Sequence, residues 1–330
     1  MKNNKSDIFI FNNKKLNLDF TQLSQKDQKN LRIKKSFPTQ VNESLELNPD
    51  NIIPELILVD SLHKLWYEWR SIEEHVASFL FKRSPGRNCY FLVKNKYDGK
   101  NLGVIDVGAD FLGLGPRDKY IGWNSEQKKK MNRNIANISI CVPTRYFGYN
   151  MTGGKLLSLL AISNEVADIW KDKYNDVLAG ITVTSLYGRG TQYNRLKYFK
   201  YLGKTQGQGS NQITDDTYRK IRKAVEDNEG EIPSGKFTKG KNSKMAIVRR
   251  GCKYLDIDAS KLTTHGIQRG IYWVDRGNTK EFLTEQVNTF IPYNGLDIKT
   301  LTEYWRRRWA DKRIKNLTLR GELKTYKKFF

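Results

Sequence analysis

The residues whose types could do chemistry are concentrated in one stretch, residues 178–209. The stretch opens with an apolar run, Leu178 to Val183, which predicts a buried strand. The hydroxyl residues Thr184 and Ser185 follow it and lead into a glycine-containing turn. Open α/β sheets usually keep their sites at the carboxyl ends of strands. We therefore expect Thr184 and Ser185 to line a site.

A second chemical pattern lies near the C-terminus, in a segment that predicts a helix over residues 301–315. Trp305 and Trp309 stand four residues apart and share a helix face. Basic residues surround them, namely Arg306, Arg307, Arg308, Lys312 and Arg313. Arginine interleaved with tryptophan suits phosphate contact and base stacking. The alternative is a helix that docks by its tryptophans and exposes its arginines to solvent, and both descriptions can hold at once.

A third candidate is the segment PRDKYIGW, residues 116–123. Its Arg117 could pair with a phosphate, and its Trp123 could stack on an extruded base. The alternative is an intramolecular pair of Arg117 with an aspartate, beside a buried tryptophan.

The composition indicates the class of partner. The net charge is +23, and a charge of this size usually has an anionic partner such as nucleic acid or a membrane surface. A lysine-rich genome explains part of the charge, but it does not explain the arginines near the C-terminus. No run approaches the ~20 apolar residues that span a bilayer, so we expect no membrane, and the arginines with interleaved tryptophans favour DNA as the partner.

The cysteines and histidines argue against a metal site. The three cysteines and three histidines are scattered without the spacing of metal ligands, so we predict no metal site. With no signal peptide visible, the cysteines are interpreted as buried thiols of a cytoplasmic protein in a bacterial host cell.

The elements that must position these residues alternate between helices and strands, which predicts an α/β protein. A variable segment covers residues 1–53, a core covers 54–212, and a basic α+β extension covers 213–330. Within the core the order is helix, two strands, basic helix, strand, glycine turn, long helix and strand. We expect nucleic-acid contacts in the extension.

This order of elements resembles the acyl-CoA N-acyltransferase-like (GNAT) fold. In that fold a glycine loop between a strand and a helix holds the pyrophosphate of acyl-CoA. The resemblance implies that Gly153, Gly154 and Lys155, which precede Leu156-Leu157, bind acyl-CoA, for example acetyl-CoA. Met151 stands where the family has its first glycine, and the alternative is a helix that simply starts at a flexible Gly-Gly.

Three stretches carry a closer resemblance. They are PRDKYIGW, TGGKLLSLL at 152–160, and GRGTQYNRLKYFKYLGKTQGQG at 188–209. Together they resemble the DruA family, named for the Druantia anti-phage systems. The last stretch also resembles the phage Mom proteins, which have a GNAT-like fold and modify adenine in DNA. This resemblance implies that Tyr193 is a general acid; the alternative is a tyrosine packed under the sheet.

The sequence therefore leads to one main hypothesis and two alternatives. The main hypothesis is a Mom-like enzyme of a phage or mobile element that transfers an acyl-derived group to an exocyclic amine of DNA, with adenine as the expected base and protection from restriction as the result. Tyr193, Ser185 and Thr184 are expected at its site. The first alternative is a DruA-like defence component that binds nucleic acid without this activity. The second is an acyl-CoA-dependent transferase that acts on another substrate.

Overall fold

The computed structural model describes most of the chain. The described residues are 8–11, 14–17, 45–77, 86–186, 188–207, 213–233, 243–264 and 268–325. Near the N-terminus, the short strands β1 (Ile8–Phe11) and β2 (Lys14–Asn17) pair with each other in a separate antiparallel sheet. None of the helices in the described ranges combines the length and apolar character needed to cross a bilayer.

The centre of the molecule is a mixed sheet of seven strands. Its strands are β3 (Pro54–Val59), β4 (Asn88–Asn95), β5 (Asn101–Ala109), β6 (Ile135–Pro143), β7 (Gly180–Ser185), β8 (Lys200–Lys204) and β9 (Gly270–Asp275). Their order across the sheet is β3-β4-β5-β6-β7-β9-β8. Only β6 and β7 run parallel; every other neighbouring pair is antiparallel. The predicted α/β class with a mixed sheet is thus confirmed.

Helices flank this sheet. They are α1 (Trp66–Val76), α2 (Gly115–Ile121), α3 (Ser125–Met131), α4 (Arg145–Met151), α5 (Gly153–Leu160), α6 (Asn164–Tyr174), α7 (Asp215–Glu229), α8 (Lys244–Tyr254), α9 (Ala259–Thr263), α10 (Thr279–Leu283), α11 (Ile298–Trp305) and α12 (Asp311–Leu319). A π-helical segment, Arg306–Ala310, joins α11 to α12, so the two form one continuous helix.

The main hydrophobic core lies on one face of the sheet, beneath α5, α6 and the C-terminal helix. Trp170 and Trp305 are fully buried in it, together with the leucines of α5. The sequence predicts one helix from about Lys155 to Tyr174, but the structure breaks it after Leu160. Ser163 explains the break, because its hydroxyl accepts a hydrogen bond from the Val166 amide and caps a new helix.

Two smaller apolar clusters cover the opposite face. Beneath α1, the rings of Trp66 and Trp69 stack with centroids 5.5 Å apart and contact Tyr90. Beneath α2 and α3, the second cluster includes Trp123 and Trp273. The sequence predicts the first helix over residues 61–81 with a cap at Ser61. The structure starts it at Trp66 instead, and residues 78–81 lie outside the described residues.

The C-terminal part of the chain is woven into the same sheet. Strand β9 lies between β7 and β8, so the sequence-based boundary after residue 212 runs through the sheet. Helices α7 to α9 sit between β8 and β9 in the chain and have small hydrophobic clusters of their own. The segment MAIVRRGCKYLDI, predicted to have strand character, forms α8, because a short apolar run does not distinguish a buried strand from a buried helix.

Candidate functional site

The predicted site begins where the two parallel strands separate. β6 pairs with β7 from Ile135 to Ile138 only, and beyond this point the strands lose contact. Thr184 and Ser185 lie at the end of β7 and pair with β9. Successive side chains of a strand point to opposite faces of the sheet, so the two hydroxyls cannot line one pocket. The structure therefore does not bring Thr184 and Ser185 together.

Tyr193 lies against the main core, on the Ser185 side of the sheet. Its ring centroid is 5.9 Å from that of Phe199 and 5.4 Å from that of Tyr272. Burial raises the pKa of Tyr193 well above its usual value, so the phenol keeps its proton at neutral pH. These contacts describe a tyrosine packed in a cluster of aromatic rings. Its role as a general acid stays a prediction.

The loop after β7 fills the gap between the separated strands. The side-chain nitrogen of Gln192 donates hydrogen bonds to the Cys141 carbonyl of β6 at 2.9 Å and to the Ser158 hydroxyl at 3.1 Å. Across the loop, the Tyr272 hydroxyl donates to the Asn194 side chain at 2.7 Å. The loop is therefore fixed to β6, β9 and α5 by side-chain hydrogen bonds.

Lys155 is part of the same fixed structure. Its ammonium donates to the backbone carbonyls of Thr191 and Asn194, both at 2.7 Å, and lies 4.0 Å from the ring centroid of Trp309. Burial lowers the pKa of Lys155 to about 8. The hydrogen-bonding capacity of this cation is thus used inside the protein rather than offered to a ligand.

The glycine turn before α5 does not fit the pyrophosphate of acyl-CoA. A Cβ on Gly153 would stand 2.2 Å from the Phe147 ring, and one on Gly154 would stand 3.2 Å from the Gln192 side chain. The preceding residue, Thr152, has a positive φ of 56°, and its carbonyl accepts a hydrogen bond from Trp305. Close packing therefore accounts for both glycines, and side chains occupy the space around the turn. With Lys155 engaged as well, we derive no step through acyl-CoA.

Arg117 and Trp123 are interior residues, not contacts for nucleic acid. The Arg117 side chain is fully buried and donates to Asp110 at 2.7 Å, to Asp118 at 2.7 Å and to the Phe111 carbonyl at 2.8 Å. The Trp123 ring is 8% exposed and lies 5.5 Å from the guanidinium. The sequence alternative of an internal Arg–Asp pair beside a buried tryptophan describes this arrangement.

The C-terminal helix separates its basic residues into two groups. Arg306 pairs with Asp50 at 3.3 Å, and Arg313 donates to the Tyr149 carbonyl at 3.1 Å, so both hold the helix to the protein. Arg307, Arg308 and Lys312 are exposed, and none of them forms an ion pair with any described residue. We call these three residues the C-terminal basic surface.

The structure also buries a group of polar residues that the sequence did not identify as a cluster. Asp106 on β5 is 2% exposed, and burial raises its pKa to about 8, helped by the nearby charge of Glu73. Within the described part of the chain, one oxygen each of Asp106, Glu73 and Asn137 is buried without a hydrogen-bond partner. From the sequence, Asp106 and Asp110 could supply a carboxylate to the site or be solvated, and the sequence favours solvation, because a single carboxylate within an apolar strand does not reveal its burial.

The family model described as Druantia protein DruA matches residues 2–285. The curated Druantia protein DruA of Escherichia coli (strain UMEA 4076-1) is 29% identical over 208 residues, which cover 57% of this chain and 50% of that protein. The chain thus spans about half the length of this relative. No solved structure matches.

These matches test the two resemblances differently. The resemblance to Mom proteins stays a prediction, because no comparison bears on it. The DruA model, in contrast, covers most of the sequence, including all three stretches that carry the resemblance. The chain belongs to the DruA family.

Proposed function

We propose that this protein is a nucleic-acid-binding component of an anti-phage defence system and that DNA contacts the C-terminal basic surface. The observation that carries the proposal is the exposure of Arg307, Arg308 and Lys312 on a helix whose position is fixed. Trp305, on the same helix, is fully buried beside Phe147, and this packing anchors the helix.

The chemistry of this surface suits a polyanion. Cations that lack an internal carboxylate partner are free to replace the counterions of a phosphate backbone, which favours binding by counterion release. Half-buried Trp309 lies between Arg308 and Lys155, with the Arg308 guanidinium 5.6 Å from its ring centroid. In this proposal the part of the Trp309 ring that stays exposed packs against a sugar or a base beside the phosphate contacts.

Fluorescence anisotropy with a labelled duplex of about thirty base pairs tests the proposal. Replacing Arg307, Arg308 and Lys312 with Gln should weaken binding at least about tenfold. The matched control replaces three exposed lysines on other helices, Lys171, Lys223 and Lys261. Equal losses in both triple variants would mean that net charge alone controls binding. Failure of the unaltered protein to bind would contradict the proposal itself.

We further propose a GNAT-like arrangement of the sheet. The order of the strands and the single parallel pair, β6 and β7, support it. The proposal does not extend to acyl transfer, because packing against Phe147 and Gln192 accounts for Gly153 and Gly154, and the Lys155 ammonium donates to backbone carbonyls. DNA binding without this activity, the first alternative from the sequence, agrees better with the site.

A further inference from the structure

A groove of about 760 Å³ lies beside the first strand of the large sheet, and Arg306, the residue before the C-terminal basic surface, is part of its lining. We call it the β3 groove. It lies between the start of β3 and the helices α6 and α11. Ile52, Leu56, Ile169 and Ile298 supply apolar walls, and Glu165 and Glu303 supply charge. Its volume is within the range of about 300–1,000 Å³ that is typical of ligand sites.

The groove runs along a strand edge with which no other described strand pairs. β3 is the outermost strand of its sheet, and five consecutive residues, 52 to 56, line the groove. The backbone groups of Ile53 point toward β4. Its amide donates to the Asn95 side chain, and its carbonyl accepts from the Lys96 amide. Antiparallel strands alternate the direction of these groups, so Leu56 directs its N–H and C=O away from β4 and into the groove.

Four carboxylates and three cations, Lys96, Lys299 and Arg306, line the groove, so its charge is slightly negative while the whole chain carries +23. Two of its four carboxylates have basic partners, since Glu55 pairs with Lys96 and Asp50 with Arg306. Glu165 and Glu303 form no ion pair with any described residue of the chain.

Glu165 is held in a defined position. One of its carboxylate oxygens accepts a hydrogen bond from the Ile298 amide at 3.1 Å. The other oxygen is buried and has no hydrogen-bond partner among the residues that the structure describes. This oxygen is covered by protein atoms, so a cationic ligand in the groove would act on the charge of the Glu165 carboxylate rather than bond to that oxygen.

We propose that the β3 groove binds an extended, basic peptide segment of a partner protein. The peptide adds to the open edge of β3 as a further strand, with main-chain hydrogen bonds to Leu56. Alternate apolar side chains of the peptide pack against Ile169 and Ile298, and a lysine or arginine reaches Glu165 and Glu303. This is the mode of recognition in which main-chain bonds give affinity and side-chain pockets give specificity. It is independent of the proposed contact with DNA.

The test begins with a display library of random linear peptides, selected for binding to the full chain. The enriched peptides should combine alternating apolar residues with at least one lysine or arginine. A synthetic copy of the best peptide is then titrated by calorimetry against a double variant, Glu165→Gln with Glu303→Gln. We expect affinity to fall at least tenfold, because the variant removes the charges and keeps the shape. Glu231→Gln with Glu322→Gln, both at exposed positions, is the matched control.

A second pair of variants tests the strand edge. Leu56→Pro removes the N–H that faces the groove and spares the hydrogen bonds to β4, as proline does on edge strands. Leu56→Ala removes the side chain alone, so a larger loss with proline than with alanine supports strand addition. The proposal is overturned if no peptide is enriched or if the enriched peptides lack basic residues. It is also overturned if the double variant Glu165→Gln with Glu303→Gln binds the peptide as tightly as the unaltered protein. Equal affinities of Leu56→Pro and Leu56→Ala for the peptide would overturn it as well.

Discussion

Replacing Asp106 with Asn should change how the stability of the protein depends on pH. The carboxyl is buried within the sheet, and burial together with the charge of Glu73 raises its pKa from 3.8 to about 8. A carboxyl with a raised pKa in the folded state is bound to its proton there and ionised in the unfolded chain. Its contribution to stability is therefore full below about pH 4 and is lost as the pH rises through about 8.

The magnitude follows from the size of this shift. One pKa unit corresponds to about 1.4 kcal/mol, so the full shift gives an upper bound of about 6 kcal/mol. Water entry and side-chain rearrangement relieve part of this cost when the carboxyl ionises. We expect Asp106→Asn to gain at least about 2 kcal/mol relative to the unaltered protein between about pH 4 and pH 9.

Urea unfolding of both proteins across this pH range measures the difference in the free energy of unfolding. Taking the difference removes the contributions of all groups that titrate identically in both proteins. Asp227→Asn, at an exposed carboxylate, is the control and should show no such trend. A difference between the unaltered protein and Asp106→Asn that stays constant with pH would refute the claim that Asp106 is buried as a neutral acid.

Three other substitutions test the packing at the candidate site. Arg117→Met should lower the free energy of unfolding in urea by about 3–5 kcal/mol, because it leaves the buried Asp110 carboxylate without its partner. Adding Asp110→Asn should restore part of this loss. No recovery in that double variant would contradict the pairing. Gly153→Ala should lower the free energy of unfolding by about 1–3 kcal/mol, because the added methyl group contacts the Phe147 ring. Phe147→Leu should reduce this loss. At an open pyrophosphate turn, Gly153→Ala would cause no such loss. Tyr193→Phe should lower stability by at most ~1.5 kcal/mol and leave the affinity for DNA unchanged, and a large loss of affinity would place its hydroxyl at the DNA.

Much of the sheet could be predicted from local patterns. The apolar runs at 89–94, 102–107 and 138–142 are strands because their residues alternate between two covered faces. The hairpin turn with Gly99 at a positive φ of 71° could also be predicted. The position of β9 between β7 and β8 could not, since it depends on pairing between residues nearly a hundred positions apart.

The candidate site was harder to predict, because the role of each residue depends on its burial and on the side chains packed around it. Nothing local distinguishes Arg117, which is buried, from Arg307, which is exposed. The opposite orientations of Thr184 and Ser185 could be predicted, because consecutive side chains of a strand point to opposite faces of the sheet. The glycines at 153 and 154 have two possible causes, ligand approach or side-chain packing, and only the positions of Phe147 and Gln192 decide between them.

The salt dependence of DNA binding tests the central claim most directly. The logarithm of the affinity should fall linearly with the logarithm of the salt concentration, with a slope of about −0.9 for each phosphate contact. If Arg307, Arg308 and Lys312 contact phosphates, replacing all three with Gln should reduce the magnitude of the slope by about 2 to 3, whereas the control at Lys171, Lys223 and Lys261 should leave it unchanged. An identical slope for the unaltered protein and the variant of the C-terminal basic surface would contradict the proposed DNA contact.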